Sequence, residues 1–275
     1  MRAIWIACIG CASAVATSLL LARVHPFGDA GLDASPVTSL DAGGTAQAAI
    51  QTTIMEHSSV PTEVRVALAA KCADCHSMEV RAPLYGRFAP ISWLMERDIV
   101  EGRKKMNLSQ WNSYSADQQQ TLQAKIVQQT KAHAMPPLPY RMIHWNARIT
   151  DADVKSFTQW TREAPREAGS DAQGEGSSIR GKEIFAKRCT GCHAMEQNRE
   201  GPRLQDVYGR TSGAVPGFGY SAALKQARIV WNDTSLEHWL ADPDSLVPGN
   251  NMEFHVAKPQ ERRDLIALLK QGVAK

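Results

Sequence analysis

The chain has 275 residues, with 31 basic against 28 acidic side chains and a formal net charge of +3. That length suits one large or two small domains. So mild a balance supplies no basic footprint for nucleic acid and reads as a solvated surface of mixed sign.

At the N-terminus, Ala3 to Ala22 carry no charge and follow Arg2, the pattern of an export segment with a positive n-region. The protein is therefore expected to reach the periplasm. Ala14-Val15-Ala16 and Ala16-Thr17-Ser18 offer small-residue cleavage sites, yet the apolar run continues through Leu19-Leu20-Leu21, and about 20 residues span a bilayer. Residues 1–25 thus stand either as a signal peptide or as an inner-membrane anchor over 3–22, with Cys8 and Cys11 as small apolar members of it. Gly28 to Ser59 is rich in Ala, Gly, Ser, Thr and Asp, so 26–60 reads as a flexible tether.

A first folded domain is expected over 61–164. Pro61 suits the first turn of a helix whose apolar stripe, Val64, Ala67 and Leu68, leads into Cys72. Further helices are predicted from Ile91 to about Arg103, from Ala116 to about Lys131 and from Asp151 to Thr161, the last with Thr150 as N-cap and Asp153 as its capping-box partner. Between the second and third of these, Met135-Pro136-Pro137-Leu138-Pro139 is expected to be non-helical. Residues 165–178 lack any apolar period and read as a linker. A second domain over 179–275 opens with a helix from Ile179 to Lys187, with Gly181 and Phe185 on one face, and closes with one from Pro259 to Lys270, whose apolar face is Leu265, Ile266, Leu268 and Leu269. No strand pattern of convincing length occurs, so the fold class is all-α, two small helical domains behind an apolar N-terminal helix.

The chemistry lies in a motif that occurs twice, Cys72-Ala73-Asp74-Cys75-His76 and Cys189-Thr190-Gly191-Cys192-His193. Two thiols at this spacing add as thioethers to the two vinyl groups of haem, and the histidine that follows places its imidazole beneath the iron. A thioredoxin-type pair or half a zinc site would need the trailing histidine twice by chance, and the two pairs lie more than a hundred residues apart. Two covalently bound haem c groups are therefore expected, with His76 and His193 as metal ligands. The motifs use four of the six cysteines, and none beyond Cys11 is left for a disulfide.

From Gly181 to Lys270 the sequence resembles class I cytochrome c. The matching pieces are Gly181 and Phe185, the motif at Cys189, Gly201-Pro202-x-Leu204, Gly209-Arg210, Tyr220, Trp231, Trp239-Leu240-x-x-Pro243, Pro248-Gly249-x-x-Met252-x-Phe254 and Glu261-Arg262-x-Asp264-Leu265-Ile266. The resemblance implies His193 and Met252 as axial ligands, a hydrogen bond from the His193 ring to the Pro202 carbonyl, and Arg210, Tyr220 and Trp231 near the haem propionates. Trp239 and Asn251 depart from the Tyr and the Thr or Lys usual in the mitochondrial proteins. An indole donates but does not accept, so the hydrogen bonding around Met252 is expected to differ.

The first domain resembles the haem-binding domain of exported bacterial proteins, over about Pro61 to Arg162. This rests on Cys72-x-x-Cys75-His76-Ser77, Pro83-x-Tyr85, Ala89-Pro90-x-Ser92-Trp93-Leu94, Gly102-Arg103, Asn107-x-Ser109-x-Trp111, Met135-Pro136-Pro137 and Tyr140, with His25-Pro26-Phe27-Gly28 upstream. The usual Trp-Pro-Trp-Tyr run is Ala82-Pro83-Leu84-Tyr85 here. Met135 is the leading candidate for the sixth ligand of the first iron, because a Met-Pro-Pro turn presents a thioether rigidly and its separation from His76 equals that of Met252 from His193. His133, His144 and Met106 are the alternatives. His25, His57, His238 and His255 show no partner pattern and are assigned to surface or packing roles.

These resemblances imply a dihaem carrier of single electrons between redox proteins of the periplasm or membrane, without a catalytic residue. Lys182, Lys187, Arg188, Lys225 and Lys258 form a candidate basic rim for an acidic partner. The alternatives are a dihaem peroxidase or small-molecule oxidase with one open iron, or an electron-entry subunit of a larger dehydrogenase or oxidase complex.

Overall fold

The computed structural model describes residues 2–28, 54, 59–80, 83–163 and 174–272. Most of the 26–60 tether and of the 165–178 linker lies outside them, as do Ala82 and His57. Among the described residues there are twelve α-helices and no strand, only the isolated bridge between Thr211 and Val230. The all-α class read from the apolar periods holds. The chain forms two compact units, one of 1–113 with 144–148, the other of 114–143 with 149–275.

In the first unit, α1 (Arg2–Leu21) ends against the start of α4 (Ile91–Lys105). Ser18 Oγ donates to the Ala89 carbonyl at 2.7 Å, and Trp93 Nε1 donates to the Val24 carbonyl at 3.0 Å. The His25 ring meets the buried Glu96 carboxylate at 3.1 Å, a partner the sequence did not reveal. Among the described residues no helix is long and apolar enough to cross a membrane. Helix α2 (Thr62–Lys71) buries Val64, Ala67 and Leu68, the stripe read from the sequence, and the single turn α3 (Ala73–His76) follows it and packs on α4.

In the second unit, α5 (Ala116–Lys131) starts at a capping box in which Ser115 and Gln118 satisfy each other's backbone N–H groups. Helix α6 (Leu138–Ile143) begins inside the stretch expected to be non-helical. The reason is that Pro139 falls in the first turn, where its missing N–H has no helical acceptor to lose. Helix α7 (Asp151–Glu163) packs on α5 through its buried face of Phe157, Trp160 and Thr161, and Thr150 and Asp153 cap it reciprocally.

Helix α8 (Ser178–Ile184) is shorter than its apolar pattern predicts and continues as a π turn over Phe185–Cys189, closed by Thr190 N–H to the Phe185 carbonyl at 3.2 Å. α9 (Ala222–Ala227), α10 (Asp233–Ala241), α11 (Pro243–Leu246) and α12 (Pro259–Gln271) complete the unit. α8 crosses α12 at Gly181, where a Cβ would run into the Asp264 carbonyl and the Leu268 side chain. Asp264, itself buried, clasps the crossing by accepting from Ser177 N at 2.7 Å, from Arg180 Nε and Nη2 at 2.8 Å each and from Gln260 Nε2 at 3.0 Å. Phe185, Val207, Trp231, Leu236, Trp239, Leu240, Val256, Leu265 and Leu269 form the core over which the second motif lies.

Candidate functional site

Each motif is one tight turn, and the turn decides where its histidine points. In the first, Cys72 closes α2, and its carbonyl accepts from Cys75 N at 3.3 Å and from His76 N at 3.0 Å. The His76 ring lies 3.1 Å, through Nδ1, from the Met106 carbonyl at the end of α4. A carbonyl only accepts, so Nδ1 carries the proton and Nε2 keeps its lone pair for a metal. Burial pushes the His76 pKa below the usual histidine value, against the opposing pull of the Met106 and Gly102 carbonyls, and holds the ring in its neutral, ligating form. Burial, with Asp74 and Asp98 nearby, pushes the Cys75 thiol up to about 11.

The other residues proposed for the first iron are divided between the two units. Met106 contributes its backbone carbonyl to the Nδ1 side of His76, and its side chain is buried. His144 is hydrogen-bonded through Nε2 to the Tyr85 hydroxyl in the first unit. Met135 belongs to the second unit, half-exposed, just past α5, where the N–H groups of Ala134 and Met135 both return to the Gln129 carbonyl at 3.0 and 3.2 Å. His133 precedes it at φ 53°, with its carbonyl accepting from Arg141.

In the second motif the Cys189 carbonyl accepts from Cys192 N at 3.0 Å and from His193 N at 2.8 Å. His193 Nδ1 lies 2.8 Å from the Pro202 carbonyl, which fixes the tautomer by the same logic. Burial again pushes this histidine's pKa down, with Pro202 and Glu200 opposing, and pushes the Cys189 thiol up to about 12. The ring lies flat on Gly201, where any Cβ would overlap it.

Cys189, Cys192, His193, Pro202, Arg210, Tyr220, Trp231 and Met252 all line one cavity of about 270 Å³. Arg210 is held by its Nη1 and Nη2 bonds to the carbonyls of Gln205 at 2.8 Å and Arg203 at 3.0 Å. Its backbone carbonyl accepts from Trp231 N at 3.0 Å, which keeps those two residues side by side. Burial pushes the Tyr220 hydroxyl pKa up, so the phenol remains a donor. On the Met252 loop, Trp239 Nε1 donates to Met252 Sδ at 3.1 Å. The buried Asn250 accepts from Met252 N at 2.6 Å and donates to the Val247 carbonyl at 3.0 Å. Two thiols, a neutral imidazole with a free Nε2 and a thioether around an apolar cavity are a donor set that fits a covalently held haem.

Two contributions were not read from the sequence. Asn250, not Asn251, orders the methionine loop, and its only signal was an amide in a Pro-Gly turn. Thr121, Ala124, Gln128 and Ala132, from α5 and its cap, also line the cavity. Their signal was a stripe of small, neutral residues at spacings of three and four, on a helix assigned to the other domain. Arg188, placed on the basic rim, is turned inward onto Glu261 and Gln120 with only 8% of its side chain exposed.

Comparison with known proteins gives two matches in series. A family model for a haem-binding domain matches residues 38–163, and one for cytochrome c matches 178–272. The chain is 43% identical over 103 residues to cytochrome c of Chlamydomonas reinhardtii, covering 36% of this chain and 92% of that protein. It is 47% identical over 98 residues to cytochrome c of Euglena viridis, covering 34% of this chain and 96% of that one. Among solved structures it is similar to cytochrome cH from Methylobacterium extorquens, at 39% identity and a TM-score of 0.34, over 35% of this chain and 99% of that chain.

Proposed function

The chain belongs to the cytochrome c family, and from that premise we propose that it is an exported dihaem electron carrier, held in the periplasm or at the inner membrane, that passes single electrons between redox proteins. An electron-transfer haem protein is what its family members are. The observation that carries it is the cavity at the second motif, where His193 with its proton on Nδ1 and Met252 line one apolar space with two thiols.

When bound, haem iron accepts and releases one electron by alternating between its ferric and ferrous states. Cys189 and Cys192 would hold it covalently and His193 and Met252 would bind its iron, with Arg210, Tyr220 and Trp231 lining the same cavity; Cys72, Cys75 and His76 would hold the first, with Met135 as the candidate for its remaining ligand. The Pro202 carbonyl orients the His193 ring and raises its basicity. A thioether as second axial ligand favours the ferrous state and raises the potential. Burial among Trp231, Trp239, Leu240 and Leu265 keeps water from the site, which limits reorganisation when the charge changes.

Spectroelectrochemical titration of the exported protein tests this. Two one-electron couples, low-spin in both oxidation states and slow to take carbon monoxide, are expected. A single couple, or an open high-spin iron that turns over peroxide, would overturn the carrier reading in favour of the peroxidase alternative.

A further inference from the structure

Helix α5 does not lie beside the second site by accident of packing; it is fastened across it. It rests on the cysteine loop, with Thr121 so close to Gly191 that a Cβ there would come within 3.0 Å of Thr121 Cγ2, and with the Gln128 amide donating to the Glu200 carbonyl at 2.9 Å. At one end, Arg188 bonds Gln120, and Gln120 Nε2 donates to the His255 carbonyl at 3.0 Å. At the other, Lys131 pairs with Glu253, a carboxylate only 3% exposed. The helix therefore bridges the cysteine loop and the methionine loop.

We propose that α5 is a built-in cap: it docks on the cysteine-side face of the second site and closes that edge to external redox proteins until it lifts. Cys189 and Cys192 would hold a haem by its vinyl groups, and α5 packs over the loop that carries them. A helix with its side chains is about 10 Å across, so a protein arriving on this face is held that much farther away, and electron tunnelling falls exponentially with distance. The α5 residues that line the cavity, Thr121, Ala124 and Gln128, are uncharged; the Lys125 ammonium lies beside Gly191 on the cysteine loop, and the Arg188–Gln120 and Lys131–Glu253 contacts act as latches toward the helix ends. A buried carboxylate such as Glu253 is poorly tolerated without its cation, so the closed arrangement is favoured. The segment matching the haem-binding family includes α5, and the cap is thus lent by one domain to the other.

The proposal rests on the electron-carrier reading, but its first readout does not depend on it. In the full-length holoprotein, hydrogen exchange should show the 119–132 amides strongly protected, and Lys131→Glu, which sets two carboxylates against each other at the latch, should release them. Reduction by photogenerated flavodoxin semiquinone, a bulky donor, should then accelerate at least tenfold, while reduction by free lumiflavin semiquinone stays unchanged. If Lys131→Glu fails to load haem, Lys131→Met removes the cation without adding repulsion. Free exchange of α5 in the wild type, protection that survives both substitutions, or release of α5 with an unchanged flavodoxin rate would each overturn the cap. Loss of electron-transfer behaviour with α5 protection intact would overturn the carrier reading instead.

Discussion

Trp239 points its indole N–H at the sulfur of Met252, with Nε1 3.1 Å from Sδ. A thioether sulfur has two lone pairs, so it can accept this bond and still bind a metal. The donor draws density from the sulfur and makes it a weaker ligand for ferric iron. Trp239→Phe keeps the packing and removes the donor, so the second haem's potential is expected to fall, by on the order of 40 mV or less for one neutral hydrogen bond. Protein-film voltammetry checks this; a rise, or loss of the methionine ligand, would contradict the assignment.

Met252→Ala is expected to do more. The ferric protein should lose the weak near-infrared sulfur-to-iron band of this haem, the potential should fall and the ferrous iron should take carbon monoxide. An unchanged near-infrared spectrum would exclude Met252 as a ligand.

Met135→Ala asks the same question of the first haem. With the Met135 N–H bonded back to Gln129 and two prolines after it, the residue has little freedom to lose on binding a metal. The reduced wild-type protein should be low-spin at both irons, and the variant high-spin at one, with rapid carbon monoxide uptake measured by stopped flow. A wild type already high-spin at the first iron would rule Met135 out.

At the α8/α12 crossing the prediction concerns stability and pH. Burial pushes the Asp264 carboxyl up, but the bonds from Arg180, Ser177 and Gln260 outweigh it and hold the pKa below the ordinary carboxylate value. Unfolded, the group titrates near 3.9, so between the two values the unfolded chain binds more protons and stability rises with pH. The contribution is complete above the unfolded value and is lost as pH falls through the folded one. Asp264→Asn should cost about 2 kcal/mol at pH 7, mostly from the buried bonds rather than the half-exposed Arg180. Guanidinium denaturation should show that gap closing as pH falls below the unfolded value and through the lower folded one; a gap independent of pH would contradict the clasp.

Much of this architecture was legible in the chain. The stripe Val64, Ala67 and Leu68 and the Thr150/Asp153 cap gave their helices because period and capping chemistry are local. The cysteine turns were equally plain, since haem attachment fixes a five-residue spacing. What escaped was tertiary. Nothing near Gln128 in sequence says that its amide meets Glu200, and Arg188 looked like a surface cation because its partners Gln120 and Glu261 lie 68 and 73 positions away. Met106 escaped for another reason: its working atom is a backbone carbonyl, to which the side chain gives no clue.

Covalent attachment of two haems to one chain is tested by the intact mass of the holoprotein after acid-acetone extraction. The expected chain carries the mass of two haems, and one is lost in each of Cys72→Ala/Cys75→Ala and Cys189→Ala/Cys192→Ala. A wild-type chain that retains one haem, or none, would contradict it.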